Sequence, residues 1–489
     1  MTAPFEAADL RRLGRQLTAP FSLRLSSGEA DGILVCTAIL RHLPGKRLVC
    51  RAERRQGPPV IVKLFLAPRQ ARRHLARELE GLTAFRAVKI PTPALVGQTT
   101  LDDERTPLIM TTAIPDARNL AQCWPALVDR ERDARLHQCV ALIARLHEGG
   151  KYQRDIHPGN FLVTGSEIYL IDGSDVRPLG RVPRRATGRA LTNLASFLVQ
   201  FDPDADQWAA NALQTYEAQR RWSPSARRLK RLGQMMRRSR HQRMRQRAAK
   251  VVRPCTAVAV RRSWQRYIAC DRAWYSPAIE PLLNDPEAYM TKGVALKDGN
   301  SATVSRIAFE DQNLVIKRYN IKNRRHRLRR CLRPSRGRIA WCNAHMLRLI
   351  GIATPQPLAL IEERWGPLYA RAFLICTYQP GVHLADFWHH DWEAHDPRAA
   401  AMAPLGTLLA RLAAARISHG DLKATNLIVH DGEITLVDLD GLRVFRRSRS
   451  FGRQFRKDCH RLLRNWQRHP TIYDALRQRL PHPELPGDN

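Results

Sequence analysis

Acidic residues are scarce in this 489-residue chain: 45 Asp and Glu stand against 81 Lys and Arg, a formal net charge of +36. From residue 218 to residue 270 there is no acid at all, while seventeen Lys or Arg fall between Arg220 and Arg266. Such an imbalance calls for an anionic partner: nucleic acid, acidic lipid headgroups, or a phosphorylated or carboxylated substrate. Aromatics are thin in that stretch, limited to Trp222, Trp264 and Tyr267. That weakens a single-strand nucleic-acid surface, which needs stacking platforms. The ten Cys include no C-x-x-C pair, so neither a zinc site nor a disulfide framework is expected, and most should be core thiols of a reducing cytosol. No apolar run approaches the roughly 18–20 residues of a membrane span. The start, Met1 to Glu6, carries an acid and no apolar h-region, so no signal peptide is expected and any membrane contact should be peripheral.

What is present is an internal repeat. Gln153-Arg154-Asp155-Ile156-His157-Pro158-Gly159-Asn160 is followed by a strand pair ending at Asp172, and His419-Gly420-Asp421-Leu422-Lys423-Ala424-Thr425-Asn426 by one ending at Asp438. In both copies an Asn comes five residues after the first Asp, and a second Asp twelve residues after that Asn. Residues 160–177 align with 426–443 without a gap, sharing Asn, Val, Glu, Ile, Leu, Asp and Arg. The spacing suits phosphoryl transfer from ATP. The first Asp would orient or deprotonate the attacking hydroxyl. The hairpin would bring the second Asp beside the Asn, so that Asn160 with Asp172, and Asn426 with Asp438, could ligate Mg²⁺. Length and 44% apolar content allow two cored domains.

In the first copy, residues 34–40 and 47–51 read as strands around Pro44-Gly45-Lys46, and residues 59–65 as a third strand with Lys63 inside it. A Lys in such a strand needs a partner, and a kinase supplies one: Lys63 holds the ATP phosphates and pairs with a Glu on the next helix. On the helix expected over 69–85, Glu78 falls within the stripe of Leu75, Leu79, Leu82 and Phe85, whereas Glu80 points away. Residues 135–146 form an amphipathic helix leading into the catalytic loop, where His157 is expected to shape the loop. After Asp172 no Phe-Gly pair follows, and a helix resumes by about 187. That short segment argues against a regulated protein kinase and for a small-molecule or glycan kinase.

In the second copy, the small-residue turn from Lys297 to Val304, with Gly299, lets backbone amides approach phosphates. It precedes Lys317, which occupies the place of Lys63. The very basic stretch 322–338 follows. No acid lies between Lys317 and Ile361, and the slot of Glu78 falls at Asn343. An amide cannot neutralise Lys317, so the first copy is expected to be the stronger kinase.

With both loops in view, the chain resembles the bacterial lipopolysaccharide core kinase family, the Kdo/heptose-kinase (InaA/WaaP) type. The residues that carry the resemblance are Lys63, Glu78, Arg154-Asp155, Asn160 and Asp172. In the second copy they are Lys317-Arg318-Tyr319-Asn320 with its basic insertion, His419-Gly420-Asp421, Asn426 and Asp438. The resemblance implies an α+β, protein-kinase-like fold in two tandem domains, each with a small β-rich upper lobe and a helical lower lobe. It implies transfer of the ATP γ-phosphate to a heptose or Kdo hydroxyl of the lipopolysaccharide inner core, at the cytoplasmic face of a Gram-negative inner membrane. Lipopolysaccharide core oligosaccharide or a lipid-linked precursor, and an anionic membrane surface, would be the partners; nucleic acid is disfavoured. By analogy the loops also look like RIO-type and aminoglycoside-phosphotransferase kinases. A RIO-like kinase bound to RNA particles and a tandem pseudokinase scaffold for core assembly therefore stand as alternatives. The expected domains are 1–218, a basic helical extension over 219–284, and 285–489. The basic middle reads as an anionic-membrane helix or a solvated helix, and less well, for want of aromatics, as a nucleic-acid patch.

Overall fold

The computed structural model describes residues 4–26, 32–103, 105–299, 302–320, 333–366, 368–389 and 397–481. It divides into two compact units, Met1–Gln200 with Asp206–Met236, and Phe201–Ala205 with Arg237–Asn489. Each is α+β, a β-rich upper lobe followed by a helical lower lobe.

The upper lobe of the first unit is a six-stranded antiparallel sheet. In sheet order its strands are Phe21–Arg24, Ile33–Leu43, Arg47–Arg54, Val60–Phe65, Pro107–Thr112 and Leu95–Thr100. Strand alternation places Lys63. Val60, Val62 and Leu64 are buried in the sheet's core with Leu34, Cys36, Leu48 and Cys50, which turns Lys63 to the other face. The helix Ala71–Ala87 follows, burying Leu82, Phe85 and, on the same side, Glu78. The lower lobe begins with Asp129–Glu148, whose Leu136, Cys139, Val140 and Ile143 are buried. The strand Lys151–Gln153 then leads into the loop, and the hairpin Phe161–Thr164 with Glu167–Leu170 leads out of it. Gly165 turns that hairpin at φ +51°, a conformation in which a Cβ is disfavoured.

The second unit has a seven-stranded antiparallel sheet, ordered Val258–Arg262, Arg266–Asp271, Pro357–Trp365, Leu368–Thr377, Gln312–Tyr319, Ala302–Phe309 and Val294–Gly299. Its lysine strand is followed by the helix Arg336–Leu349. Below lie Met402–Ala414, the hairpin Leu427–His430 with Glu433–Leu436, and the helices Ser448–Leu463 and Pro470–Arg479. The extension expected over 219–284 is not a module of its own. The basic helix Ala226–Lys250 crosses the division between the units, and the two strands after it belong to the second sheet. The physical reason is apolar content: Val258, Tyr267, Ile268, Ala269 and Cys270 are buried there. Of the basic insertion 322–338, residues 322–332 lie outside the described residues.

Candidate active site

In the first unit, Lys63 Nζ donates to Glu78 Oε1 at 2.7 Å and to Asp172 Oδ1 at 3.3 Å. Glu78 is 4% exposed, and Glu80 is exposed. The same Oε1 accepts from the Gly173 amide at 3.3 Å, tying the helix to the loop that carries Asp172. Arg47 Nη1 stands 3.7 Å from Asp172 Oδ1, and the Ser174 hydroxyl donates to that oxygen at 2.9 Å. Burial works against the Asp172 carboxylate, but Lys63, Arg47 and Ser174 outweigh it and hold its pKa down to about 2.

The loop from Asp155 to Asn160 is closed by hydrogen bonds of its own. Asn160 Nδ2 donates to the Asp155 carbonyl at 2.8 Å, and the Ile171 amide donates to the Asn160 carbonyl at 2.9 Å. Asn160 therefore sits beside the entry to Asp172, while Asp155 is exposed. Asp172 is left-handed, with φ 65° and ψ 71°. Gln153, a residue the motif reading passed over, fixes that turn by donating to the carbonyls of Ile171 at 2.9 Å and Asp172 at 2.7 Å. Asn193 Nδ2 in turn donates to the Gln153 carbonyl at 2.8 Å. The His157 ring lies against Gly159, where a Cβ would come within 3.0 Å of it.

The second unit builds the same turn with other side chains. Asn426 Nδ2 donates to the Asp421 carbonyl at 2.8 Å, the Val437 amide donates to the Asn426 carbonyl at 3.0 Å, and Asp438 is left-handed at φ 64° and ψ 59°. His419, at the place of Gln153, donates from Nε2 to the Val437 carbonyl at 2.9 Å. Asp458, to which the sequence reading gave no chemistry, is buried and anchors the loop. It accepts from the Ser418 hydroxyl at 2.6 Å and from the Gly420 amide at 3.1 Å. Arg461, one turn on, donates to Asp421 Oδ1 at 2.9 Å, and Lys423 Nζ lies 3.3 Å from Asp421 Oδ2. A buried acid on the helix face of Phe451, Phe455 and Leu462 was the available signal, since such an acid needs donors. Gly299 ends its strand opposite Ala302, and its carbonyl accepts from Asn320 Nδ2 at 3.1 Å. The rest of its turn, residues 300–301, lies outside the described residues.

The partner of Lys317 is where sequence and structure part. Asn343 does not serve it: its Nδ2 donates to the carbonyls of Leu439 at 2.8 Å and Leu442 at 3.3 Å. Lys317 Nζ instead contacts Asp438 Oδ1 at 2.5 Å. Asp440, two residues on, is paired with Arg336. Burial opposes ionisation of Asp438, but Lys317 wins and holds it well below the usual carboxylate range. Burial raises Asp440, against the opposing charge of Lys317. The helix position and the position two after the loop Asp have exchanged their acid: Glu78 with Ser174 in one unit, Asn343 with Asp440 in the other.

The oxygen donors Asn160 with Asp172, and Asn426 with Asp438, fit Mg²⁺. Each Asn has its amide nitrogen engaged, which leaves the amide oxygen for a cation. Among the described residues no three acidic, His or Cys side chains form a metal cluster, and a magnesium ion that brings substrate phosphates as ligands needs none.

The profile of the lipopolysaccharide kinase (Kdo/WaaP) family matches residues 61–216 and 295–479, so each match spans one copy of the repeat. No curated protein matches the chain. Among solved structures, it is similar to the kinase domain of PknI from Mycobacterium tuberculosis, at 19% identity and a TM-score of 0.26, covering 35% of this chain and 74% of that one. It is also similar to WbdD, at 15% identity and a TM-score of 0.29, covering 41% and 50%.

Proposed function

The chain belongs to the lipopolysaccharide kinase (Kdo/WaaP) family and is a kinase, and from that premise we propose that it transfers the γ-phosphate of ATP to a heptose or Kdo hydroxyl of the lipopolysaccharide inner core. The observation that carries the proposal is the cluster of Lys63, Glu78 and Asp172 beside the Asp155–Asn160 turn. In protein kinases the ion pair of a strand lysine with a helix glutamate, together with a loop aspartate, is a required part of the active site.

In this reading Lys63 and Lys317 hold the phosphates, with Gly299 near them in the second unit. Asp155 and Asp421 orient the sugar hydroxyl and accept its proton as the new O–P bond to the γ-phosphorus forms and the bond to the departing ADP breaks. Asn160 with Asp172, and Asn426 with Asp438, would hold Mg²⁺, which supplies charge neutralisation at the phosphoryl oxygens. The exposed Asp155 suits a bulky glycan acceptor. No helix among the described residues is long and apolar enough to cross a membrane, and the net charge of +36 suits peripheral attachment to an anionic inner-membrane surface on its cytoplasmic face.

The test is mass spectrometry of core oligosaccharide incubated with the full chain, ATP and Mg²⁺, alongside core from cells lacking the chain. One added phosphate in vitro and one missing in the deletion is the expected result. ATP binding with neither change would favour a scaffold instead.

A further inference from the structure

Each unit seats one arginine over the aromatic ring two residues past its strand lysine. In the first, Arg47 Cζ lies 5.7 Å from the Phe65 ring centroid, and its guanidinium faces Asp172. In the second, Arg336 Cζ lies 5.3 Å from the Tyr319 ring centroid, and its guanidinium pairs with Asp440. The two arginines come from unrelated places. Arg47 opens the strand after the Pro44–Lys46 turn, whereas Arg336 opens the helix that carries Asn343. Registering the lysine strands, Val49 with Lys63 and Val304 with Lys317, puts Ala302 at the place of Arg47. Counting back from Glu78 and Asn343 puts Ala71 at the place of Arg336. The same spot is filled twice, by different elements, with the same side chain on the same kind of seat.

Charge gives the spot a purpose. Each cluster holds two cations and two carboxylates: Lys63 and Arg47 with Glu78 and Asp172, then Lys317 and Arg336 with Asp438 and Asp440. The loop carboxylates are the groups a divalent cation would claim. Once they are claimed, a guanidinium fixed on a ring beside them faces whatever anion the cation brings. Guanidinium suits that anion if it is a phosphate, which it can grip through two parallel N–H donors.

We propose that Arg47 and Arg336 are phosphate-binding residues of their sites, gripping the terminal phosphates of the nucleotide beside Lys63 and Lys317. The proposal rests on the kinase reading above. It differs from a purely structural role, in which each arginine only neutralises a buried acid, because it ties the arginine to the number of phosphates on the ligand.

The test is calorimetric titration of the full chain with ATP and with AMP in Mg²⁺. The proteins compared are wild type, Arg47→Ala/Arg336→Ala and Arg47→Lys/Arg336→Lys, with Arg47→Gln/Arg336→Gln replacing the alanine pair should that pair fail to fold. ATP affinity should fall about 10- to 100-fold in the alanine pair, the loss of one charge-assisted contact per site, with AMP affinity nearly unchanged. The lysine pair should recover part of the loss. Equal ATP affinity in wild type and a folded alanine or glutamine pair, or a parallel loss for ATP and AMP, would overturn the proposal while leaving the kinase reading intact. A wild type that binds no ATP would overturn both.

Discussion

Glu78 Oε1 is shared between the Lys63 ammonium and the Gly173 amide, so removing either Lys63 or Glu78 strands its partner in a partly buried cleft. Lys63→Ala and Glu78→Ala should therefore be non-additive in ATP affinity, with a coupling of about 0.5–3 kcal/mol, and Glu80→Gln should be silent. A titration in which Glu80 matters and Glu78 does not would contradict the assignment. Asp155→Ala, made in an Asp421→Ala background, should remove phosphoryl transfer by about 10²- to 10⁴-fold with the fold intact; equal turnover with and without Asp155 would exclude it as the base. At Asn343 the structure reverses an expectation. The helical register puts this position in the slot of Glu78, where a side chain would meet Lys317. The side chain in fact faces the Leu439 and Leu442 carbonyls, and a carboxylate would set anion against acceptor. Asn343→Glu should destabilise the second unit by about 1–3 kcal/mol in urea unfolding and bring no gain in ATP affinity. Asp440 brings a second carboxylate to the Lys317 cluster in place of a helix acid, so the turnover of Asp155→Ala against Asp421→Ala protein decides which unit is the stronger kinase.

Two elements of the first unit meet through glycines. A Cβ on Gly81 would stand 2.1 Å from the Gly173 carbonyl oxygen, and one on Gly173 would stand 2.7 Å from the Glu78 carbonyl oxygen. Backbone lies on both sides, so no side chain can yield. Gly81→Ala should push the glutamate helix away from the Asp172 loop, and first-unit turnover should drop on the order of 10²-fold, the cost of misplacing a catalytic group by about 1 Å. The second unit has Met346 and Leu439 at these places, so its turnover, assayed in an Asp155→Ala background, should not respond to Gly81→Ala. A wild-type rate in the first unit would show that the helix tolerates the displacement. The two Asp–Asn loops are held by unlike anchors, Asn193 in one unit and Asp458 in the other.

For the molecule as a whole, each unit carries a buried histidine whose neutral form the fold demands. Burial lowers the pKa of His147, in the first unit, from 6.5 to about 3 against an opposing hydrogen bond with Asn193. Burial, with Arg247 and Arg348 nearby, does the same to His345 in the second. The folded values are depressed, so no penalty exists above pH 6.5. As pH falls below it, the unfolded chain takes up protons that the folded chain refuses. Stability of each unit should then fall by about 1.4 kcal/mol per pH unit until pH nears 3. Urea midpoints at pH 7 and pH 5 check this, and His147→Gln should flatten the dependence of the first unit only. Charge also sets behaviour at surfaces. The helix Ala226–Lys250 presents Arg227, Lys230, Arg231, Arg237, Arg238, Arg245 and Lys250 to solvent, each worth about 1 kcal/mol near an anionic bilayer and screened over about 8 Å at physiological salt. Sedimentation with phosphatidylglycerol vesicles should fall steeply with added salt; binding indifferent to salt and lipid charge would exclude an electrostatic origin.

The sequence by itself determined the two tandem copies, the lysine strands, the burial of Glu78 and exposure of Glu80, and the hairpin that returns the chain beside each Asn just before its second Asp. These rest on short-range rules, strand alternation, helical periodicity and a hairpin of fixed length, so the residues concerned lie within one element or one turn. What tertiary structure alone decided were the partners that arrive from distant segments. Asp458 comes to the Gly420 amide from a later helix, Asp440 and Arg336 complete the Lys317 cluster, and Arg47 reaches Asp172 from another strand. The strands Val258–Arg262 and Arg266–Asp271 likewise join a sheet whose next strand lies nearly a hundred residues on. Periodicity carries no information about such pairings, because an unpaired buried charge states that it needs a partner without stating which one the fold brings to it.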